Sequence, residues 1–282
     1  MLRLLLVSQY YKQVLGYKHK WQGDEKQVST MNRRVVAMVL AFIVVGAGTV
    51  LLLLPRSDTH HGLIRGLPEG SYTSVSFHLK DIQDCSLNVS FVNDPELLYS
   101  LDVQLYESSP AASAFDLSVS GEDSALLQVQ FDGKVRIKEI RLVLGSGIPY
   151  GIGVLGTNVN ATFIYENNAV GSLASLAYLA TGSFVNLQFT EDMVFSNDGM
   201  EITVGAGSQD RPDNLYLSLD LPDGVNGIGS FSKPLSIHSN TGWTLDFEMP
   251  SSITYTTENH DQQPRIGLTL RAVYSVHVWL SD

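Results

Sequence analysis

Between Val35 and Leu54 the chain runs for twenty residues without a charged side chain. A helix rises about 1.5 Å per residue, so this run covers about 30 Å, the depth of a bilayer's hydrocarbon core. Ala, Val, Leu, Ile and Phe occupy every side of the helical wheel, where a soluble core helix would carry a polar stripe. Pro55 and Arg56 end the run, because proline breaks the hydrogen-bond ladder and a charge in hydrocarbon is costly. The pattern predicts a membrane-spanning helix over 35–54. A cleaved signal peptide is the rival reading, but its apolar stretch is about 7 to 15 residues long and closes on small residues. Here the run closes on Leu51 to Leu54, and the small cluster Ala47-Gly48-Thr49 lies inside it. An uncleaved signal anchor is therefore expected.

Charge sets the orientation. Seven of the 18 basic residues and two of the 29 acidic ones fall in 1–34, leaving +5 there and −16 beyond, within an overall −11. Positive flanks stay in the cytoplasm. The expected organisation is a cytoplasmic basic tail (1–34), the transmembrane helix (35–54), a linker (55–70) and an extracytoplasmic β-rich domain (71–282). A candidate break between two sub-domains falls near 132–150. In the tail, Leu4, Val7, Tyr11, Val14 and Leu15 alternate with Lys12, Lys18 and Lys20, compatible with an amphipathic helix on the inner leaflet or with a disordered segment. Met31-Asn-Arg-Arg followed by the span is a complete anchor by itself, which makes Met31 an alternative start. An acidic exterior repels phosphate backbones, so nucleic acid is excluded as a partner.

Beyond the linker, alternation dominates. Val75, Phe77 and Leu79; Leu87, Val89 and Phe91; Tyr99, Leu101, Val103 and Leu105; Phe115, Leu117 and Val119; and Leu127, Val129 and Phe131 all step by two. Successive side chains in a strand point to opposite faces, so each run reads as a strand with one apolar face. Leu215 to Leu221 repeats the pattern before the turn Pro222-Asp223-Gly224, and Trp243, Leu245, Phe247 and Met249 follow. The longest run, from Ile266 through Tyr274 to Leu280, keeps one phase and predicts a single paired strand. Leu173, Leu176 and Leu179 fit a short helix or a strand equally well. The fold class is an all-β ectodomain, β-solenoid-like or β-sandwich, preceded by one transmembrane α-helix.

From "GSLASLAYLATGSFVNLQF" through "LYLSLDLPDGVNGIGSFSK" and the "TGW" turn, the strand cadence over 135–280 resembles the toast-rack or adhesin-like β-domains of prokaryotic envelope proteins. That resemblance implies an anchored extracytoplasmic domain with no catalytic residues to carry over.

Motifs for chemistry are few. Gly151, Gly153 and Gly156 fall in GxGxxG spacing, but a dinucleotide site needs a helix at the last glycine, and "TNVNATFIY" reads as β-prone chain. A glycine-rich turn or bulge is expected there instead. GxSxG, HExxH, Walker and CxxC motifs are absent from the sequence. Asp58, His60 and His61 read as solvated linker rather than a metal site, and acidic turns such as "VNDPE" lack the order of a calcium loop. No catalytic, cofactor-binding or metal-binding residue is assigned, and no cofactor is expected. Asn88 and Asn160 open N-glycosylation sequons. Lys134, Arg136 and Lys138 form the one basic cluster outside, the solvent face of a strand or a docking patch. Cys85, the single cysteine, is expected as a buried small hydrophobe.

The functional expectation is a membrane-anchored, non-enzymatic β-domain with a binding, adhesion or envelope-structural role. Its partners are the bilayer, through 35–54, and a protein or glycan outside the cell. The alternatives are an anchored hydrolase with a site assembled from distant strands, and an envelope sensor or assembly subunit.

Overall fold

The computed structural model describes residues 57–63, 73–106, 115–121, 124–132, 135–165, 173–190 and 199–281, the first of these by backbone alone. The expected tail, the 35–54 span and Lys134 lie outside the described residues. Among the described residues every regular element is a strand, and no helix is long and apolar enough to cross a membrane.

Seventeen strands follow in chain order: β1 (Ser57–Leu63), β2 (Ser74–Phe91), β3 (Leu97–Leu105), β4 (Phe115–Ser120), β5 (Ser124–Phe131), β6 (Ile137–Leu144), β7 (Tyr150–Tyr165), β8 (Leu173–Ala180) and β9 (Gly182–Phe189), then β10 (Met200–Val204), β11 (Pro212–Asp220), β12 (Asn226–Ser232), β13 (Leu235–Asn240), β14 (Thr244–Glu248), β15 (Ser252–Thr256), β16 (Arg265–Leu270) and β17 (Ser275–Ser281). Residues 57–63, inside the stretch expected as linker, thus form a strand, which pairs antiparallel with β3.

The ladders divide into two limbs, and the long strands β2 and β7 run through both. In the first limb the parallel order is β5, the front half of β2, the front half of β7, then β8, β10, β16 and β12. In the second it is β6, the back halves of β2 and β7, then β9, β11, β17 and β13. Each pair of strands so matched makes one two-limbed rung. The outer ladders are antiparallel: β4 on β5 and β3 on β6 at one end, β15 on β12 and β14 on β15 at the other. Around the candidate break near 132–150, β5, β6 and β7 all pair with β2, and Pro55–Asp282 forms one compact unit.

A rung turns where the backbone leaves the β region. In β2 the corner residues Asp81 and Asp84 take φ of 57° and 50°, and in β7 Asn158 takes 56°. Asn and Asp tolerate this left-handed conformation better than most residues. The corners are joined across rungs: Asn158 Nδ2 donates to Asp84 Oδ1 at 2.7 Å, and its backbone N–H donates to Thr181 Oγ1 at 2.9 Å.

The inward phases of both limbs meet in one core. Phe77 of the first limb packs edge-on against Tyr99 of the second at 5.4 Å, and Phe91 meets Tyr165 at 4.8 Å. Buried tyrosine hydroxyls find carbonyls, Tyr150 donating to Leu98 O at 2.6 Å and Tyr178 to Val159 O at 2.7 Å, which spares the cost of an unpaired polar group.

Two expectations change. The run from Ile266 to Leu280 is two strands, β16 and β17, because it belongs to one rung and must turn between limbs; Tyr274, expected in the buried phase, sits at that turn 63% exposed. Leu245, Phe247 and Met249 form a solvent-facing row on and just beyond the edge strand β14, while Trp243 beside them is buried. The GxGxxG glycines lie in strand β7, whose ladder to β8 shifts register at Tyr150/Gly151 and whose ladder to β2 shifts between Leu79 and Ile82, the partner of Gly156; a Cβ on Gly153 would come within 2.8 Å of the His78 ring. The 173–179 segment, open between helix and strand, is strand β8.

Candidate ligand-binding face

The outward phase of the second limb carries the candidate site. On β3, β2 and β7 this phase is mostly polar, with Ser100, Asp102, Gln104, Ser86, Asn88, Ser90, Asn160 and Thr162, as suits a half-solvated sheet face. Across β9, β11, β17 and β13 it becomes aromatic. Register places Phe184 opposite Asn214, Asn186 opposite Tyr216, and Gln188 opposite Ser218. The next ladder places Tyr216 opposite His277 and Ser218 opposite Trp279.

The rings stack in series. Tyr216 lies 5.0 Å from His277 with 9° between planes, His277 lies 5.5 Å from His238 at 19°, and His238 lies 4.1 Å from Trp279 at 10°. The irregularity in β13 between Ile237 and Ser239 brings His238 against both His277 and Trp279. Nitrogen contacts lock the imidazoles: His238 Nε2 is 3.3 Å from His277 Nδ1, and His277 Nε2 is 3.0 Å from Ser275 Oγ. A second hydrogen bond ties Ser275 Oγ to Asn214 Oδ1 at 2.8 Å.

Beside this stack lies a shallow hollow of about 470 Å³, lined by Phe184, Asn186, Gln188, Tyr216, Ser218 and Trp279, with Leu217 behind. Phe184, Tyr216 and Trp279 are 39%, 37% and 39% exposed. None of the lining side chains is charged. The arrangement can hold a small neutral group between ring surface and amide or hydroxyl partners. Among the described residues no group of three or more His, Cys, Asp or Glu is placed to hold a metal ion.

The residues singled out from sequence fall elsewhere. Asn88 projects from β2, its Nδ2 donating to Glu139 Oε1 at 2.8 Å. Asn160, in β7, is half-buried and uses Oδ1 to accept from the backbone N–H groups of Ser183 and Phe184 at 2.8 and 3.2 Å. Arg136 and Lys138 are exposed, with Arg136 5.4 Å over the Tyr106 ring. Near them Arg141 bonds Glu139 at 2.8 Å, and this contact holds the Glu139 carboxyl below the usual carboxylate range. In "VNDPE" the Asp94 carboxylate caps its own turn, accepting from Glu96 N–H at 3.0 Å. Cys85 is buried, as its place beside an apolar strand suggested. None of these lines the hollow.

No protein-family model and no curated protein sequence matches the chain. Among solved structures, the chain is similar to a "putative cell adhesion protein" from Clostridium sporogenes. The TM-score is 0.57 and the identity 12%, covering 79% of this chain and 98% of that one. The likeness establishes a shared all-β fold.

Proposed function

We propose that this is a membrane-anchored surface protein whose β-domain is held outside the cell by 35–54 and acts by binding an external partner, in an adhesion-type role. The carrying observation is the exposed, braced series of Tyr216, His277, His238 and Trp279 around an uncharged hollow. Aromatic side chains exposed together on one face are costly to leave in water and recur where proteins bind. Support also comes from the charge asymmetry about the apolar run and from the fold shared with an adhesion-type neighbour. On this reading the two-limbed ladder is a short β-solenoid whose flat outer faces are the working surface, and no catalytic step is assigned to it.

The test is made on cells producing the full chain with a carboxy-terminal epitope. Protease added to intact cells should remove the epitope, and alkaline carbonate should leave the chain in the membrane pellet. Such cells should adhere to a host-cell or matrix surface, and Trp279→Ala should reduce adherence. An epitope protected from protease, a chain released by carbonate, or adherence indifferent to Trp279→Ala would overturn the proposal.

A further inference from the structure

Resting on the reading of this face as a binding surface, we infer that the hollow beside Trp279 takes a neutral sugar ring of a glycan. The indole of Trp279 is the anchor. His238 covers one of its faces at 4.1 Å, and His277 and Tyr216 extend the stack away from it. The ring is therefore held in place before any ligand arrives, which lowers the ordering cost of binding. On the side toward β11 and β9 its register neighbour is the exposed Ser218, and beyond that Gln188. These short or flexible polar side chains leave a floor below the rings instead of filling the space.

Chemistry selects the ligand. A pyranose presents an apolar face of C–H groups and a rim of hydroxyls that both donate and accept. The C–H face matches the negative face of an aromatic ring. The rim matches Asn186, Gln188 and Ser218, each of which can donate and accept. A carboxylate, sulfate or phosphate would find no cationic side chain in the lining and would lose hydration without compensation. A quaternary ammonium would satisfy the rings but leave the amides and the hydroxyl without partners. Phe184 to Gln188 is four residue steps along β9, about 13 Å at strand rise, which leaves room for more than one sugar ring along the hollow.

The full chain is reconstituted in lipid nanodiscs, which avoids sugar-headed detergents. It is offered an array of neutral hexose and N-acetylhexosamine oligosaccharides, with sialylated and sulfated glycans and phosphocholine beside them. A neutral oligosaccharide should bind with Kd between about 10 μM and 1 mM and should change tryptophan emission. Trp279→Ala should weaken binding at least tenfold. Ser218→Tyr, an exposed position that fills the hollow while keeping the indole, should do the same with the thermal midpoint unchanged. The inference is overturned if no neutral glycan binds, if only acidic glycans or phosphocholine bind, or if binding survives both substitutions. Should glycans fail while cell adherence still depends on Trp279, the sugar falls and the binding role stands; if both fail, both readings fall.

Discussion

His78 shows how strongly a neighbour decides what one residue can do. It projects from β2 opposite Gly153 of β7 and Gln128 of β5, and the missing Cβ of Gly153 makes room for its ring. Burial, and then the nearby Lys80 charge, hold its pKa below the ordinary 6.5. Protonation is thus easier in the unfolded chain. Above 6.5 both states are neutral and the residue has no pH effect; as pH falls through 6.5, the unfolded state takes the proton first and stability declines. We expect the urea midpoint to drop between pH 7.5 and 5.5, and His78→Asn to reduce that drop; an unchanged drop would assign it to other groups. Cys85 obeys the same logic without titrating in range, since burial and then Asp84 push its thiol up to about 12.

At the scale of elements, alternation located the strands well. Val75–Leu79, Leu87–Phe91, Tyr99–Leu105 and Leu215–Leu219 each sit in a strand with the alternate residues buried. What alternation cannot report is where a strand turns or which apolar row becomes covered. The corners depend on single residues whose cost is paid by contacts with other rungs. Asn158 is the clearest: it holds a left-handed φ of 56° and reaches Asp84 and Thr181, each on a different neighbouring rung. Asn158→Ala should cost about 2 kcal/mol, combining the left-handed penalty with one lost hydrogen bond. Asn158→Gly should cost less, because glycine adopts this conformation freely. Equal losses for the two in urea unfolding would show that the side-chain bond, not the backbone, dominates. β14 gives the opposite lesson, for its apolar residues are in phase yet exposed at a sheet edge that, among the described strands, only β15 pairs.

For the whole molecule the order of rungs departs from the order of the chain. The rung β16–β17 lies between β10–β11 and β12–β13, so the carboxy-terminal strands are interior. On the solenoid reading proposed above, each rung is stabilised chiefly by its neighbours, and an end rung is the expendable one. Truncation after Thr257 therefore removes an interior rung. It should abolish the cooperative unfolding transition of the β-domain, whereas a sequentially stacked molecule would tolerate it; a cooperative transition with a near-native midpoint would refute the topology.

The sequence by itself determined the all-β class, the phase of most strands, the Pro222-Asp223-Gly224 turn, and the apolar run and charge asymmetry of its amino-terminal part. These are local properties, written in period, size and charge over a few residues. Tertiary structure alone decided the site. Tyr216 was readable as outward-facing, but Tyr216, His238, His277 and Trp279 are scattered over 64 residues of chain. Only the ladder that inserts β17 between β11 and β13 brings their rings to within stacking distance. Pairing between strands far apart in sequence is set by the shared core, and no local pattern encodes which outer faces that core will make adjacent.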